Sequence, residues 1–162
     1  MTLATIDSGT STFSLRRARR ADVAALVALI AADSLRADHD SADPEHLARY
    51  ERAFAAIDID PAHTLVVLEA PDGSVVGTMQ LTLIPGLARA GATRMQVEAV
   101  RVAESTRGLG LGTAMLDWAI RHARERGAAL VQLTSDARRV DARRFYERLG
   151  FAASHVGFKL FL

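Results

Sequence analysis

Apolar and basic side chains alternate from Phe13 to Ala18, and that period of two predicts a strand. Asp22 stands where it could cap an alanine-rich helix carrying Val23, Leu26, Val27 and Ile30 at helical spacing. After a polar stretch from Asp33 to Asp43, Asp43-Pro44 opens a second helix with Leu47, Tyr50 and Phe54 on one side. Leu65 to Ala70 and Val75 to Ile84 read as strands joined by Pro71-Asp72-Gly73-Ser74, residues suited to a hairpin turn. Pro85 to Thr93 reads as a loop. Along the next strand, from Arg94 to Val102, Met95, Val97 and Ala99 are apolar at odd positions, then Val100 and Val102 at even ones. A phase slip of one residue predicts a β-bulge near Ala99 and Val100, which would free backbone N–H and C=O groups for a ligand. A central strand buried on both faces fits the same residues.

Past a glycine-rich turn, Met115, Leu116, Ala119, Ile120 and Ala123 line one face of a helix from Thr113 to Arg126, ended by Gly127. Leu130 to Thr134 is a short buried strand. Ala142, Phe145, Tyr146 and Leu149 fall at helical spacing within Val140 to Leu149, which Gly150 closes, and Phe151 to Leu162 reads as a last strand. Met1 to Thr12 is expected to be a flexible lead, and residues 13–162 a single domain.

Composition narrows the chemistry. A chain of 162 residues is long enough to bury a core without staples, and it contains no cysteine. That excludes an acyl-cysteine intermediate, cysteine-ligated zinc and a disulfide scaffold. The five histidines, His39, His46, His63, His122 and His155, show no metal-ligand spacing, so no metal is expected. A net charge of +1 gives no global attraction to nucleic acid or an anionic membrane. Arg138, Arg139, Arg143, Arg144 and Arg148 cluster locally, either as a solvated face or with one or two of them near a phosphate. No apolar run approaches the ~20 residues needed to span a bilayer, and the N-terminus has no hydrophobic signal core, so a soluble cytoplasmic protein is expected.

The segment from Arg107 to Gly112 reads Arg-Gly-Leu-Gly-Leu-Gly, between a strand and a helix. Glycine lets backbone take positive φ and approach a ligand closely, while the first helical N–H groups and the helix dipole attract an anion. Spacing separates the known phosphate cradles. A P-loop needs Lys then Ser or Thr after its last glycine, but Gly112 is followed by Thr113 and Ala114. A dinucleotide fingerprint wants its third glycine one position later and an acidic residue about 20 residues further on. What remains is Arg-x-x-Gly-x-Gly, carried by Arg107, Gly110 and Gly112.

This loop, together with Val-Arg-Val before it (Val100 to Val102) and Ala-Arg-Arg-Phe-Tyr-Glu-Arg-Leu-Gly-Phe after it (Ala142 to Phe151), resembles the GNAT superfamily of N-acyltransferases. The resemblance runs from Phe13 to the C-terminus. It implies an α/β fold of the α+β mixed-sheet kind: a central, mostly antiparallel sheet with a splayed pair, the fourth and fifth predicted strands, flanked by helices. It also implies acetyl-CoA as co-substrate, pantetheine held by the backbone of Val100 and Val102, and pyrophosphate held by Arg107, Gly108, Gly110, Gly112 and Thr113. Many members carry an asparagine where this chain has Arg139, so an asparagine contact to the coenzyme does not transfer, and Arg139 takes its place as a coenzyme candidate.

Acetyl transfer to an amine needs a neutral nucleophile, a polarised carbonyl and a proton for the departing thiolate. An alkylammonium has a pKa near 10.4, so a base must act around neutral pH. Glu98, on the bulged strand, is the candidate; an exposed or substrate-binding carboxylate is the alternative. Tyr146 resembles the family's general acid, although it shares a face with Ala142, Phe145 and Leu149 and could simply be core. The bulge amide at Val102 is the candidate for stabilising the oxyanion. Without cysteine, direct attack in a ternary complex is the simplest scheme. No G-x-S-x-G elbow supports a serine hydrolase.

The acceptor is expected to be a small-molecule amine, met by residues 33–60, with Asp38, His39, Asp40, Asp43 and His46, and by the 84–93 loop with Arg89. Family habit and exposed-edge logic point to a homodimer through the terminal strand with Phe158 and Phe161. The rival classes are a non-catalytic acyl-CoA sensor, a protein N-terminal or lysine acetyltransferase, and a nucleic-acid binder resting on local charge alone.

Overall fold

Six strands form one sheet in sequence order: β1 (Thr2–Asp7), β2 (Thr12–Arg17), β3 (His63–Glu69), β4 (Val75–Ile84), β5 (Arg94–Val102) and β6 (Leu130–Leu133). Four junctions, from β1·β2 to β4·β5, are antiparallel, and β5·β6 is parallel. This computed structural model describes residues 1–32, 41 and 43–162. The helices are α1 (Val23–Ala31), α2 (Leu47–Ile59), the single turn α3 (Ala88–Gly91), α4 (Leu111–Glu125) and α5 (Val140–Arg148). The parallel junction follows from the α4 crossover, since a parallel neighbour needs a connection that returns the chain to the same end.

Each face of the sheet has its own apolar cover. On one, Leu15, Val66, Leu68, Met79, Leu81, Met95 and Val97 meet Leu111, Met115, Leu116 and Ala119 of α4. On the other, Val67 meets Val23, Leu26, Val27 and Phe54 of α1 and α2. Farther along the same face, β4, β5 and β6 carry polar side chains.

Three expectations are corrected. The N-terminal lead is not a flexible segment: Thr2–Asp7 pairs with β2 from Thr2↔Arg16 to Asp7↔Thr12, and Ile6 enters the core. Phe151 to Leu162 is not a strand, because no ladder reaches it. Asp22 does not cap α1. Its carboxylate accepts the Arg19 N–H at 2.7 Å and binds Arg16 at 2.7 and 2.9 Å, while Arg16 Nε donates to Glu69 at 2.8 Å. Arg16 is only 7% exposed, so the charge on β2 takes the carboxylate that the pattern offered to the helix. The hydrogen bond from Arg16, above all, holds the Asp22 carboxyl below its ordinary 3.8, against the opposing effect of burial.

Candidate active site

The phase slip in β5 is a bulge. Thr78 faces Arg101 and Gln80 faces Glu98, so Ala99 and Val100 together oppose the single residue Met79. Ala99 sits at φ +51°, a left-handed conformation that costs an L-residue about 1–2 kcal/mol. On its other side β5 pairs with β6 only from Arg94↔Leu130 to Val97↔Leu133. β6 ends there, whereas β5 runs on to Val102. The result is the splay: the backbone after Val97 has no strand neighbour on that side. The Val100 carbonyl instead accepts a hydrogen bond from the Arg101 guanidinium at 2.7 Å.

The open half of β5 leads through a turn to the glycine loop. Gly108 and Gly110 have φ of +84° and +71°, with nothing within 4 Å of where a Cβ would stand. Glycine is there for conformation rather than for lack of room. Gly110 caps α4 without any side-chain bond, and the first intrahelical bond runs from Ala114 N–H to Gly110 O at 3.1 Å. The N–H groups of Leu111, Gly112 and Thr113 are thus left without intrahelical partners. Gly112 faces the Phe145 ring, 3.5 Å from a Cβ position. Arg107 and Thr113 are exposed beside the loop, and Arg107 pairs only with Glu104, at 3.1 Å.

α5 closes the other wall. Phe145 and Leu149 pack against the main core, and the Tyr146 ring lies between Phe145 at 5.3 Å and Phe151 at 6.0 Å. Burial raises the Tyr146 phenol above its ordinary 10.0, while the charges of Arg101 and Arg139 pull the other way. Both guanidiniums are therefore close enough to feel the phenol. No described residue hydrogen-bonds the Tyr146 hydroxyl. Three further arginines of the cluster are locally compensated: Arg138 by Asp136 at 2.8 Å, Arg143 by Glu147 at 2.9 Å, Arg144 by Asp141 at 3.8 Å. Among the described residues no three metal-ligating side chains gather, and no helix is long and apolar enough to cross a membrane.

Glu98 is exposed and opens a polar row across β4, β5 and β6. Gln80 lies opposite it, Thr82 is opposite Gln96, and Gln132 donates to Gln96 at 2.8 Å. His63 Nδ1 lies 2.9 Å from Thr82 Oγ1 and 3.4 Å from Gln80 Nε2. Arg94, on the same face, has its Nε buried without a hydrogen-bond partner. Sequence reasoning missed this row, although polar residues at 80, 82, 96 and 98 recur with a strand's period. Arg89 and Ala90 adopt left-handed φ in the α3 turn. Asp38, His39 and Asp40 lie outside the described residues.

Comparison with known proteins gives a consistent answer. A family model described as "Acetyltransferase (GNAT) family" matches residues 28–151. The chain is 34% identical over 110 residues to an aminoalkylphosphonate N-acetyltransferase of Salmonella typhimurium, covering 67% of this chain and 70% of that protein. It is 36% identical over 90 residues to a glucosamine 6-phosphate N-acetyltransferase of Trypanosoma brucei brucei, covering 56% and 59% respectively. A solved structure described as a transcriptional regulator from Bacillus halodurans C-125 is 38% identical, covers 93% of this chain and 99% of its own, and superposes with a TM-score of 0.89.

Proposed function

Because this chain belongs to the GNAT acetyltransferase family, we propose that it transfers acetyl from acetyl-CoA to the primary amine of a small molecule, by direct attack in a ternary complex. The observation that carries this reading is the meeting of an open strand edge, β5 beyond Val97, with three unpartnered N–H groups at the start of α4. The first offers hydrogen bonds to the amides of a pantetheine arm. The second suits a pyrophosphate, with Arg107 and Thr113 exposed at its rim and Arg139 within reach of the same wall.

In this reading the backbone of Val100 and Val102 aligns the coenzyme arm, and the N–H of Val102 stabilises the developing oxyanion. Glu98 takes the ammonium proton, directly or through water. The amine nitrogen then bonds to the carbonyl carbon, the carbon–sulfur bond breaks, Tyr146 Oη delivers its proton to the departing thiolate, and the surplus proton on nitrogen passes through water to the phenolate, giving the neutral amide, the thiol and the restored phenol. The Tyr146 phenol lies above 10 and an ordinary thiol near 8.5, so that transfer runs uphill by about 2 kcal/mol or more. Arg101 and Arg139 offset part of this by favouring the phenolate left behind.

The polar row is the acceptor's floor. Its amides and hydroxyls suit an oxygen-rich molecule, and the guanidinium charge of Arg94 on the same face suits an anionic group. The two relatives are named for acceptors that join an amine to a phosphonate or phosphate, so we assign the same class here. The reaction is placed in the cytoplasm and the working form is a homodimer.

A test measures thiol release from acetyl-CoA against a panel of amines with and without a phosphoryl group. Calorimetry with the Gly110→Glu variant, which brings a side chain and a negative charge into the cradle, is expected to show no acetyl-CoA binding. Unchanged affinity sinks the reading. The relative described as a transcriptional regulator favours a second reading, an acyl-CoA sensor. Acetyl-CoA binding with no thiol release across the panel would select it.

A further inference from the structure

A cavity of about 230 Å³ lies between β1 and α4, on the other face of the sheet from the polar row. Residues 4–7 of β1 line it on one side, and Ala114, Asp117, Trp118 and Arg121 of α4 on the other. Side chains alternate between the faces of a strand, so consecutive residues border one cavity only along the strand's edge. β1 is an edge strand, paired with β2 alone. In an antiparallel ladder every second residue turns its N–H and C=O away from its partner strand. One wall of the cavity is therefore main chain with hydrogen bonds that β2 does not use.

The α4 wall supplies both signs of charge and an aromatic floor. Asp117 and Arg121 stand one helical turn apart, the spacing at which opposite charges pair on a helix. Both are exposed at the cavity, yet neither has a hydrogen bond or ion pair among the described residues. Beside them the Trp118 indole is 8% exposed and is fixed by a stack on His122, with centroids 4.9 Å apart and planes at 10°. The cavity is also apart from the glycine loop's ligand side. Gly112 faces Phe145 of α5, and at about 100° per residue Ala114 and Arg121 look out from the opposite flank of α4.

We propose that this cavity binds a free α-amino acid with an apolar or aromatic side chain. Such a molecule carries an ammonium and a carboxylate on one carbon, and the α4 wall offers one partner for each. Arg121 takes the carboxylate in its fork of N–H donors, and Asp117 takes the ammonium. The unused N–H and C=O groups of β1 meet the remaining hydrogen bonds, and the ligand's side chain lies on Trp118. A simple anion or a simple cation leaves one of the two charges unanswered. The volume, below the roughly 300–1,000 Å³ of pockets for drug-sized ligands, suits a molecule the size of leucine or phenylalanine. Binding here needs neither acetyl-CoA nor Glu98, which lies across the sheet.

Trp118 is the only tryptophan in the chain, so its emission reports on the cavity directly. Titrating the full chain with L-leucine or L-phenylalanine, without acetyl-CoA, is expected to change that emission to saturation, with calorimetry giving the same affinity. Leucinamide, which lacks the carboxylate, and N-acetyl-leucine, which lacks the ammonium, are each expected to bind about tenfold more weakly than leucine. Arg121→Gln and Asp117→Asn are expected to weaken leucine binding by about the same factor, with far-ultraviolet dichroism unchanged because both positions are exposed. Arg94→Gln, across the sheet, is expected to bind leucine like the parent. No saturable binding of either amino acid, equal binding of the blocked forms, or an affinity insensitive to Arg121 and Asp117 overturns the inference. An affinity that falls with Arg94→Gln places the amino acid in the polar row and overturns it too. These readings involve no acetyl-CoA, so an absence of acetyl transfer does not alter them.

Discussion

Replacing Tyr146 by Phe removes one oxygen from the candidate site and leaves the ring where it is. The Phe145 and Phe151 contacts, at 5.3 and 6.0 Å, are contacts of the ring and survive. The hydroxyl hydrogen-bonds no described residue, so no bond is lost on folding, and stability should change by less than about 0.5 kcal/mol. Turnover should respond differently. A positioned proton donor contributes about 10²–10⁴-fold, and a phenol held above its ordinary 10.0 gives up its proton at a cost, which puts Tyr146 at the low end. We therefore expect kcat to fall about 100-fold, equivalent to about 2.7 kcal/mol of barrier, while acetyl-CoA affinity stays within twofold. The assay is thiol release under saturating acetyl-CoA, with calorimetry for affinity and urea unfolding for stability. Any decline in the wild-type rate from ionisation of Tyr146 should come at a higher pH than an ordinary phenol would give, because burial raises it. A kcat within threefold of the parent refutes the reasoning and returns Tyr146 to a packing role. So does a stability loss of several kcal/mol, since the rate would then report unfolding.

Gly110→Ala should cost about 1–2 kcal/mol, divided between stability and acetyl-CoA affinity according to whether the loop keeps its φ of +71°. Gly112→Ala should cost little in either, its new Cβ lying at an ordinary 3.5 Å from Phe145; the reverse order in calorimetry and urea unfolding would defeat the conformational argument. Asp22→Asn should destabilise the fold by up to about 3 kcal/mol at pH 7, less than a fully broken buried pair because Glu69 still holds Arg16. The Asp22 carboxyl is depressed in the folded state, so its contribution is complete above the unfolded value near 3.8 and drains away as pH falls further; urea unfolding between pH 7 and 2 should show that acid loss shrinking in the variant. Arg94→Gln should raise KM for a phosphoryl-bearing amine at least tenfold and leave KM for acetyl-CoA unchanged, and equal KM values for that amine would remove Arg94 from the acceptor site.

What the sequence disclosed were features written in local phase. The slip between Ala99 and Val100, the glycine run and the helical face of Phe145 and Tyr146 each depend on neighbours within a few residues, and each stands where the pattern put it. Features set by distant pairing were missed. Thr2–Asp7 carries its larger apolar side chains, Leu3 and Ile6, three apart rather than two, with a register shift between Thr2 and Ala4, so its own pattern does not announce the strand that pairing with Thr12–Arg17 completes. Asp22 was read as a helix cap because the buried Arg16 that claims it sits on a strand, and sequence spacing does not reveal which face that strand buries. The polar row depends on registers such as Gln96↔Gln132, between residues 36 apart. The tail from His155 to Leu162 carries a strand's pattern, but no strand of its own chain receives it.

The splay between β5 and β6 means that the free protein keeps part of its main sheet unfinished, with β5 running past Val97 beyond the end of its β6 ladder. If acetyl-CoA binds there as proposed, it acts as a removable structural member, and its occupancy and the fold's stability become one equilibrium. At 100 times its dissociation constant it adds about 2.7 kcal/mol to folding. Cells short of acetyl-CoA would hold a looser and more degradable pool of this protein, so its abundance would follow the supply of its own donor.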